Sequence, residues 1–298
     1  MRSKRIGSFL IHRIVEIDRF TAPANSFFAS VTPEMLAKAR EWLDRRFIDP
    51  VTDTMTISFH SFVVQANGLN VLVDCCNGND KTRPGQPFAN KLSTSYLEGL
   101  ARVGLIPADI DIVLCTQLHF DHVGWNTRLD NDRWVPTFPN ARYLMGKADF
   151  DHLAAGSPLL DPTHIESFKD SVLPVVEAGQ AEFLEFTADR VIGLCLGDGL
   201  VLEGAPGHTP GSVLLHARSG GGAAIFCGDV IHHPIQIAEP ALAISVDWDV
   251  ETAAQTRLRL IEACADNGAF LMPTHFPAPT AGRVIRTDDG FRFVFESG

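Results

Sequence analysis

The stretch Thr116-Gln117-Leu118-His119-Phe120-Asp121-His122 says more about fold and chemistry than any other part of this 298-residue sequence. Its first residue ends the segment Ile112–Thr116, whose apolar composition predicts a buried β-strand. Potential metal ligands follow at positions 117, 119, 121 and 122. Zinc and similar cations bind imidazole nitrogen and carboxylate oxygen, so a tight turn here could hold one or two ions. Taken alone, such a cluster is also compatible with an incidental or structural role.

Other loops also place an acidic or imidazole side chain near the end of a predicted strand. Loops on a rigid sheet are where catalytic groups are usually held. Each of these side chains has an ordinary interpretation by itself, such as a turn aspartate, a helix cap or a surface histidine. Their joint occurrence predicts a metal site instead. The residues are Asp74, His208, Asp229 and His275.

The overall composition describes an ordinary globular protein, with 45% hydrophobic and 20% charged residues. We predict one domain over residues 1–298, in which residues 1–55 form an N-terminal lid or a dimer contact. The net charge of −11 disfavours nucleic acid and anionic membranes as partners, whereas a small neutral or cationic substrate fits more easily. A second copy of the chain, in a homodimer, is a compatible protein partner. Since no secretory or membrane-spanning segment is evident, a cytoplasmic protein is expected.

Strand and helix patterns alternate along the chain, which predicts sheets between helical layers. Thr32 and Pro33 are typical of the N-cap and first residue of a helix that continues to about Phe47. The other predicted helices are Lys91–Val103, Gly146–Ala155, Asp161–Asp170 and Val250–Asn267. The predicted strands are Thr56–Gln65, Asn70–Asp74, Ile112–Thr116, Arg142–Met145, Val191–Cys195, Leu200–Glu203, Ser212–His216 and Ala223–Cys227.

On these residues the chain resembles the metallo-β-lactamase superfamily of hydrolases. The resemblance covers most of the chain and implies the metallo-β-lactamase fold, an α/β (α+β) protein built as a four-layer αββα sandwich. The motifs that carry it are, in order, Val71–Asp74, Gln117–His122, Gly207–Gly211, Gly228-Asp229 and Thr274-His275.

The resemblance also implies a dinuclear centre with two divalent metal ions, of which Zn²⁺ is the expected one. One ion would take Gln117, His119 and His208; the other would take Asp121, His122 and His275. Asp229 would bridge the ions, and Asp74 would support the metal loops from outside the ligand set. The sequence departs from the family at Gln117, where the family usually carries histidine. Because an amide oxygen is a poorer zinc donor than imidazole, the ion at Gln117 should bind more weakly or be a different ion.

The implied mechanism uses a metal-bound hydroxide that attacks an electrophilic carbonyl or phosphoryl centre. Asp121 is a candidate catalytic residue that would orient the nucleophile or shuttle its proton to the leaving group. His232, three residues after Asp229, is a second candidate, which would hydrogen-bond a carbonyl oxygen or protonate a leaving group. The competing interpretation of His232 is a histidine that fills a polar loop. His12, His60, His152, His164 and His216 match no family motif and are interpreted as structural or surface residues.

The segment Asp229–Pro234 and the tail from Thr274 are similar to a branch that contains lactonases and methyl-parathion-type hydrolases. This similarity favours a small, mostly apolar neutral substrate, either a lactone that is opened or a carboxylic ester that is cleaved. The alternatives are a phosphotriester hydrolase, a thioester hydrolase and a mononuclear iron oxidoreductase of the persulfide dioxygenase type. A metal-poor binding protein, with Gln117 as a sign of decay, is a further alternative. The candidate pocket walls, each equally suited to core packing, are Phe27, Phe28, Phe88, Trp125 and Phe276.

Overall fold

The computed structural model describes residues 2–156, 161–186 and 192–296. In it the chain forms two compact units. The first unit contains Arg2–Glu16 and the described part of Phe59–Val191. The second contains Ile17–Ser58 and the described part of Ile192–Gly298. The single domain over residues 1–298, with residues 1–55 as a lid or dimer contact, stays a prediction.

The secondary structure of the described residues alternates between strands and helices, as the sequence predicts. The strands are β1 Ser3–Ile6, β2 Phe9–Pro23, β3 Thr54–Ala66, β4 Leu69–Val73, β5 Ile112–Leu114, β6 Thr127–Asp130, β7 Arg133–Pro136, β8 Arg142–Gly146, β9 Ala181–Leu184, β10 Ile192–Gly197, β11 Leu200–Gly204, β12 Val213–Ser219, β13 Gly222–Phe226, β14 Phe270–Met272, β15 Gly282–Thr287 and β16 Gly290–Phe295. The helices are α1 Ala24–Phe27, α2 Pro33–Arg40, α3 Tyr96–Ala101, α4 Phe120–Val123, α5 Lys147–Ala154, α6 Pro162–Ser167, α7 Leu173–Glu177, α8 Ile235–Ala238 and α9 Val250–Asn267, with a π-helical turn, Phe168–Val172, between α6 and α7.

The sheet centred in the first unit has the strand order β1-β2-β3-β4-β5-β8-β9. Strands β4, β5, β8 and β9 run parallel, whereas β3 pairs antiparallel with β4. Because parallel neighbours end at the same edge of a sheet, the loops after β4 and β5 leave the sheet side by side. These loops carry Asp74 and Gln117–His122.

The sheet of the second unit runs in sequence order from β10 to β16. Its strands pair antiparallel except for β13 and β14, which are parallel. Asp229 follows β13 and His275 follows β14, so both residues lie beyond the carboxyl ends of adjacent parallel strands. The fold therefore gathers them at one sheet edge.

Apolar packing between strands and helices fixes these strand ends. In the first unit Leu72 and Val113, on adjacent strands, share a buried cluster with Leu100 of α3. In the second unit Ile225 of β13 belongs to a buried cluster that includes Leu260 of α9. Full burial of such a side chain stabilises a fold by about 1.5–3 kcal/mol.

Helix α9 has the predicted bounds, and its termini explain why. The Asp249 side chain accepts a hydrogen bond from the Thr252 N–H at the start of the helix. Gly268, in the left-handed conformation at φ 66°, ends it. The prediction for Lys91–Val103 is wrong over its first turn, because Lys91 adopts φ 52° and the Thr94 N–H donates to Asn79.

The N-cap prediction at Thr32 is confirmed, since its hydroxyl accepts from the Met35 N–H. Helix α2 nevertheless ends at Arg40 and not near Phe47. The N–H groups of Glu41 and Trp42 donate to carbonyls three residues earlier, which is not the α-helical pattern. The strands that lie outside the sequence prediction are β1, β2, β6, β7, β9, β15 and β16. In β2, polar residues interrupt the apolar pattern, and cross-strand pairing with β1 decides the conformation.

Val191, the first residue of one predicted strand, lies outside the described residues. Within the described ranges no helix is long and apolar enough to cross a membrane.

Candidate metal centre

The loop after β5 presents His122 beside Asp74 in the first unit. Both side chains are buried, and His122 Nδ1 lies 3.0 Å from Asp74 Oδ2. The same carboxylate accepts hydrogen bonds from the Thr116 N–H at 2.7 Å and the Thr116 hydroxyl at 2.8 Å. His122 Nε2 lies 3.8 Å from Asp121 Oδ2. A carboxylate on one ring nitrogen fixes the imidazole and leaves the other nitrogen for a metal.

Backbone contacts hold this loop against the segment that follows β4. The Cys75 N–H donates to the His122 carbonyl at 2.7 Å, and the Gly124 N–H donates to the Cys76 carbonyl at 2.8 Å. A Cβ atom at Gly124 would lie 1.9 Å from the Asn77 carbonyl group, so only glycine allows this approach. The two loops therefore set the position of His122 together.

Gln117 and His119 lie on the same loop, and each has a neighbour that the sequence did not indicate. The Gln117 side-chain oxygen accepts the His119 backbone N–H. The His119 ring stacks on His164 of α6 with 4.1 Å between ring centroids. His164, interpreted from the sequence as structural or surface, thus lies against a predicted metal ligand. The assignment of Gln117 as a ligand stays a prediction.

Asp229 is the centre of a histidine cluster in the second unit. His275 Nε2 lies 2.9 Å from Asp229 Oδ1, and His208 Nε2 lies 3.2 Å from Oδ2. His232 Nε2 lies 3.4 Å from the same Oδ2. All four side chains are buried. One carboxylate among several imidazole nitrogens is a donor set that suits Zn²⁺ or a similar divalent cation.

In two of these histidines, the Nδ1 atom, which is the ring nitrogen away from Asp229, contacts another group. His208 Nδ1 lies 2.9 Å from Asp247 Oδ1, and His275 Nδ1 lies 3.0 Å from the Ser58 carbonyl. The Ser58 N–H also donates to the His275 carbonyl at 2.9 Å. An N–H donated from Nδ1 leaves the Nε2 lone pair for a cation, so both rings are oriented as metal ligands require.

Electrostatics in the cluster follow from burial and from the carboxylates. Burial lowers the pKa of His208, but its contacts with Asp229 and Asp247 outweigh burial and raise that pKa to about 9. A proton on His208 must therefore leave before a cation can bind there. Burial lowers the pKa of His232 and outweighs the opposing effect of Asp229, while His208 and His275 act in the same direction as burial. A neutral His232 can both donate and accept a hydrogen bond.

The structure brings His232 close to the predicted ligands. Its ring centroid lies 4.8 Å from that of His208, and its ring stacks parallel to His275 at 5.7 Å. Its backbone N–H donates to the Gln236 side chain. The next residue, His233, contacts the Phe47 carbonyl instead. Whether His232 contacts substrate stays a prediction.

Asp247 is the site residue that sequence reasoning missed. It lies in Asp247-Trp248-Asp249 just before α9, where an acidic residue is naturally interpreted as a helix cap. Asp249 takes the cap position, which leaves Asp247 for His208.

Of the suggested pocket walls, Phe28, Trp125 and Phe276 are buried core residues, whereas Phe27 and Phe88 are half-buried.

Solved structures share this fold over almost the whole chain. AidC, a dizinc quorum-quenching lactonase, has a TM-score of 0.80 at 19% identity, covering 99% of this chain and 97% of its own. A probable metal-dependent hydrolase from Staphylococcus aureus has a TM-score of 0.78 at 18% identity, covering 99% of both chains. The hydrolase AbOPH of the beta lactamase superfamily has a TM-score of 0.76 at 21% identity, covering 99% of this chain and 97% of its own.

These likenesses confirm the fold predicted from the sequence, the metallo-β-lactamase fold with its αββα sandwich. A comparison with curated protein sequences gives no match. The family model of the metallo-beta-lactamase superfamily matches residues 60–275, well over half of the sequence, and that span includes every predicted ligand. The chain therefore belongs to the metallo-beta-lactamase superfamily.

Proposed function

We propose that this protein is a metal-dependent hydrolase that opens a small lactone or cleaves a carboxylic ester. The observation that carries the proposal is the arrangement around Asp229, whose carboxylate faces the Nε2 atoms of His208, His232 and His275. The Nδ1 atoms of His208 and His275 are held by Asp247 and Ser58, as expected for metal ligands. Family membership supports the same chemistry.

The proposed metal ligands are the residues predicted from the sequence. They are Gln117, His119, Asp121, His122, His208, Asp229 and His275. Two divalent cations would be held, with Asp229 shared between them and Zn²⁺ as the expected metal. When bound, such cations lower the pKa of water and polarise a carbonyl oxygen.

The chain's own residues orient the reactants and move protons. Asp121, half-buried beside His122, can accept a proton from an attacking water and pass it to a leaving oxygen. A neutral His232 can donate a hydrogen bond to the substrate carbonyl, because its pKa is lowered and its side chain is beside Asp229. Both roles require a substrate held at the metals.

The substrate class is supported by the sequence and by the names of similar structures. AidC is a lactonase, and an N-acyl homoserine lactone hydrolase shares the fold with a TM-score of 0.62 at 16% identity, covering 92% of this chain and 94% of its own. The net charge of −11 would repel anionic substrates, so a neutral lactone or ester fits better than an anionic one.

Metal analysis combined with a hydrolysis panel tests the proposal. The purified protein should contain close to two zinc-like ions per chain and should hydrolyse lactones or aryl esters faster than thioesters or phosphotriesters. Asp229→Asn or a chelator should abolish turnover. About one iron per chain with oxygen consumption would favour an oxidoreductase, and turnover that survives both Asp229→Asn and chelation would overturn the hydrolase proposal.

The substitution Gln117→His tests the predicted weak ligand. Imidazole is a better donor to zinc than an amide oxygen, so the variant should bind one of its two ions more tightly. Competition with a chromophoric chelator measures the change. Identical binding curves for the variant and the natural protein would exclude Gln117 from the ligand set.

A further inference from the structure

Arg257 of α9 is a fully buried cation with an unusual set of contacts. Its Nε–H donates to the Val230 carbonyl at 2.8 Å. Its Nη1 donates to the Pro240 carbonyl at 2.8 Å and to the Leu242 carbonyl at 3.0 Å. Its Nη2 lies 3.6 Å from Asp247 Oδ2. The guanidinium thus joins the turn after β13 to the loop that precedes α9.

Two of these contacts lead directly to predicted metal ligands. Val230 is the neighbour of Asp229 in the chain, so its carbonyl fixes the backbone that carries the proposed bridging carboxylate. Asp247 holds His208 Nδ1 at 2.9 Å through its other oxygen. The loop is also bonded to the His208 backbone, because the Trp248 N–H donates to the His208 carbonyl at 3.0 Å.

We propose that Arg257 is a positioning residue of the metal centre, which fixes His208 and Asp229 relative to each other. This inference rests on the proposed function, in which both residues bind metal. Arg257 touches neither the ligands nor a substrate; it acts through Asp247 and the Val230 carbonyl. Its planar guanidinium has five donors in a rigid fork, and the ammonium of a lysine cannot reproduce that set of directions.

The competing explanation is a buried arginine that only holds a loop to a helix. In that case its loss would lower stability without changing the geometry of the metal site. Metal affinity and the absorption spectrum of bound Co²⁺ separate the two explanations, because both report ligand geometry and neither depends on turnover.

The test compares Arg257→Lys with Arg259→Lys. Arg259 lies on the same helix, is 53% exposed and lies 3.8 Å from Glu203, away from the histidine cluster. Zn²⁺ affinity is measured by chelator competition, and spectra are recorded with Co²⁺, under conditions in which circular dichroism shows folded protein. Arg257→Lys should weaken Zn²⁺ binding by about 10- to 100-fold, as is usual for residues that orient ligands, and change the Co²⁺ spectrum. Arg259→Lys should change neither.

Asp247→Asn extends the test if Arg257→Lys does not fold. It removes the charge through which Arg257 is proposed to act, while the arginine keeps its carbonyl partners. It should weaken Zn²⁺ binding as well. Where both single variants and the double variant fold, the loss in the double variant should be smaller than the product of the two single losses.

Unchanged affinity and spectrum in a folded Arg257→Lys would overturn the inference while leaving the proposed function intact. If Arg257→Lys does not fold, unchanged Zn²⁺ affinity in Asp247→Asn would overturn it in the same way. A natural protein that binds no divalent cation would overturn both.

Discussion

Asp74 contacts both ends of the loop from Thr116 to His122 through one carboxylate. It accepts both hydrogen bonds from Thr116 and lies 3.0 Å from His122 Nδ1. Its own backbone adopts φ 59°, a left-handed conformation that asparagine tolerates better than alanine does. The predicted supporting role of Asp74 can therefore be tested with a substitution that keeps the backbone and removes the charge.

We expect Asp74→Asn to weaken binding of the metal at His122 by about 10- to 100-fold. The reason is that a neutral amide removes the negative charge that faces His122 Nδ1 at 3.0 Å. Chelator competition measures the change. Asp111→Asn is the matched control, because Asp111 lies at the other end of β5, where it accepts the Asn70 N–H. Equal loss in both variants would contradict a specific role for Asp74.

His233 should make the metal-free protein sensitive to acid. Burial lowers its pKa to about 4, although the Phe47 carbonyl favours the protonated ring. Its Nε2 lies 3.1 Å from that carbonyl, and Nδ1 accepts the Ile235 N–H, so a neutral ring satisfies both partners. The unfolded chain takes up the proton below about pH 6.5, whereas the folded chain does so only near pH 4.

The free energy of unfolding should consequently fall as the pH drops from 6.5 to 4, by about 3 kcal/mol from this residue. His233→Asn should remove that part of the slope. Urea unfolding of both proteins in chelator, at several pH values from 7 to 4.5, measures it. Parallel pH profiles for the two proteins would show that His233 is protonated equally in the folded and unfolded states.

The turn before His208 depends on direct packing against α9. Gly207 has φ 138°, and a Cβ atom there would lie 2.4 Å from the Ala253 Cα atom. Gly221, in the hairpin between β12 and β13, also has a positive φ of 80° but no atom within 4 Å of an added Cβ. A comparison of alanine substitutions at the two glycines therefore separates the cost of backbone strain from the cost of steric overlap.

Gly207→Ala should lower the free energy of unfolding by more than about 3 kcal/mol, because α9 or the His208 loop must shift. Gly221→Ala should cost only about 1 kcal/mol, which is the backbone strain alone. Chemical denaturation with a constant m-value measures both losses. Similar losses in the two variants would mean that the loop yields without disturbing the helix.

Elements with local signals could be predicted from the sequence, and elements fixed by tertiary contacts could not. Helix α9 begins after a capping aspartate and ends at a glycine, and both residues can be recognised in the sequence, so its bounds could be predicted. The π-helical turn Phe168–Val172 has no such signal. There Asp170 is buried and forms an ion pair with Arg83, which lies far away in the sequence. A buried ion pair of this kind leaves no periodic pattern in the sequence.

At the scale of the whole molecule, the candidate ligands could be identified in the sequence because each lies where an apolar strand ends. The groups that orient these side chains could not be identified in the sequence. Ser58 contributes only a backbone carbonyl to His275, which no side-chain pattern can reveal. Glu16 accepts the backbone N–H groups of Asn77 and Gly78 and the Trp125 indole N–H, yet it lies in a strand with mixed polarity. Such groups are defined by the fold and not by their neighbours in sequence.

Cation binding should stabilise the folded protein, because the proposed ligands of the second unit, His208, Asp229 and His275, lie on separate segments of the sequence. A ligand that binds only the folded state, at 100 times its dissociation constant, adds about 2.7 kcal/mol to the free energy of unfolding. We expect added Zn²⁺ to raise the chelator-treated protein's unfolding free energy by this amount for each independent site saturated to that degree. Urea unfolding at fixed protein concentration, with and without Zn²⁺, measures the gain.

Asp229→Asn is the control for this stabilisation. The substitution keeps the shape of the side chain and removes the charge that His208, His232 and His275 face. Most of the Zn²⁺-dependent gain should disappear in this variant, because the shared carboxylate contributes to both proposed metal positions. If Zn²⁺ stabilises Asp229→Asn as much as the natural protein, the cation binds elsewhere, and the second unit's histidines do not form the centre.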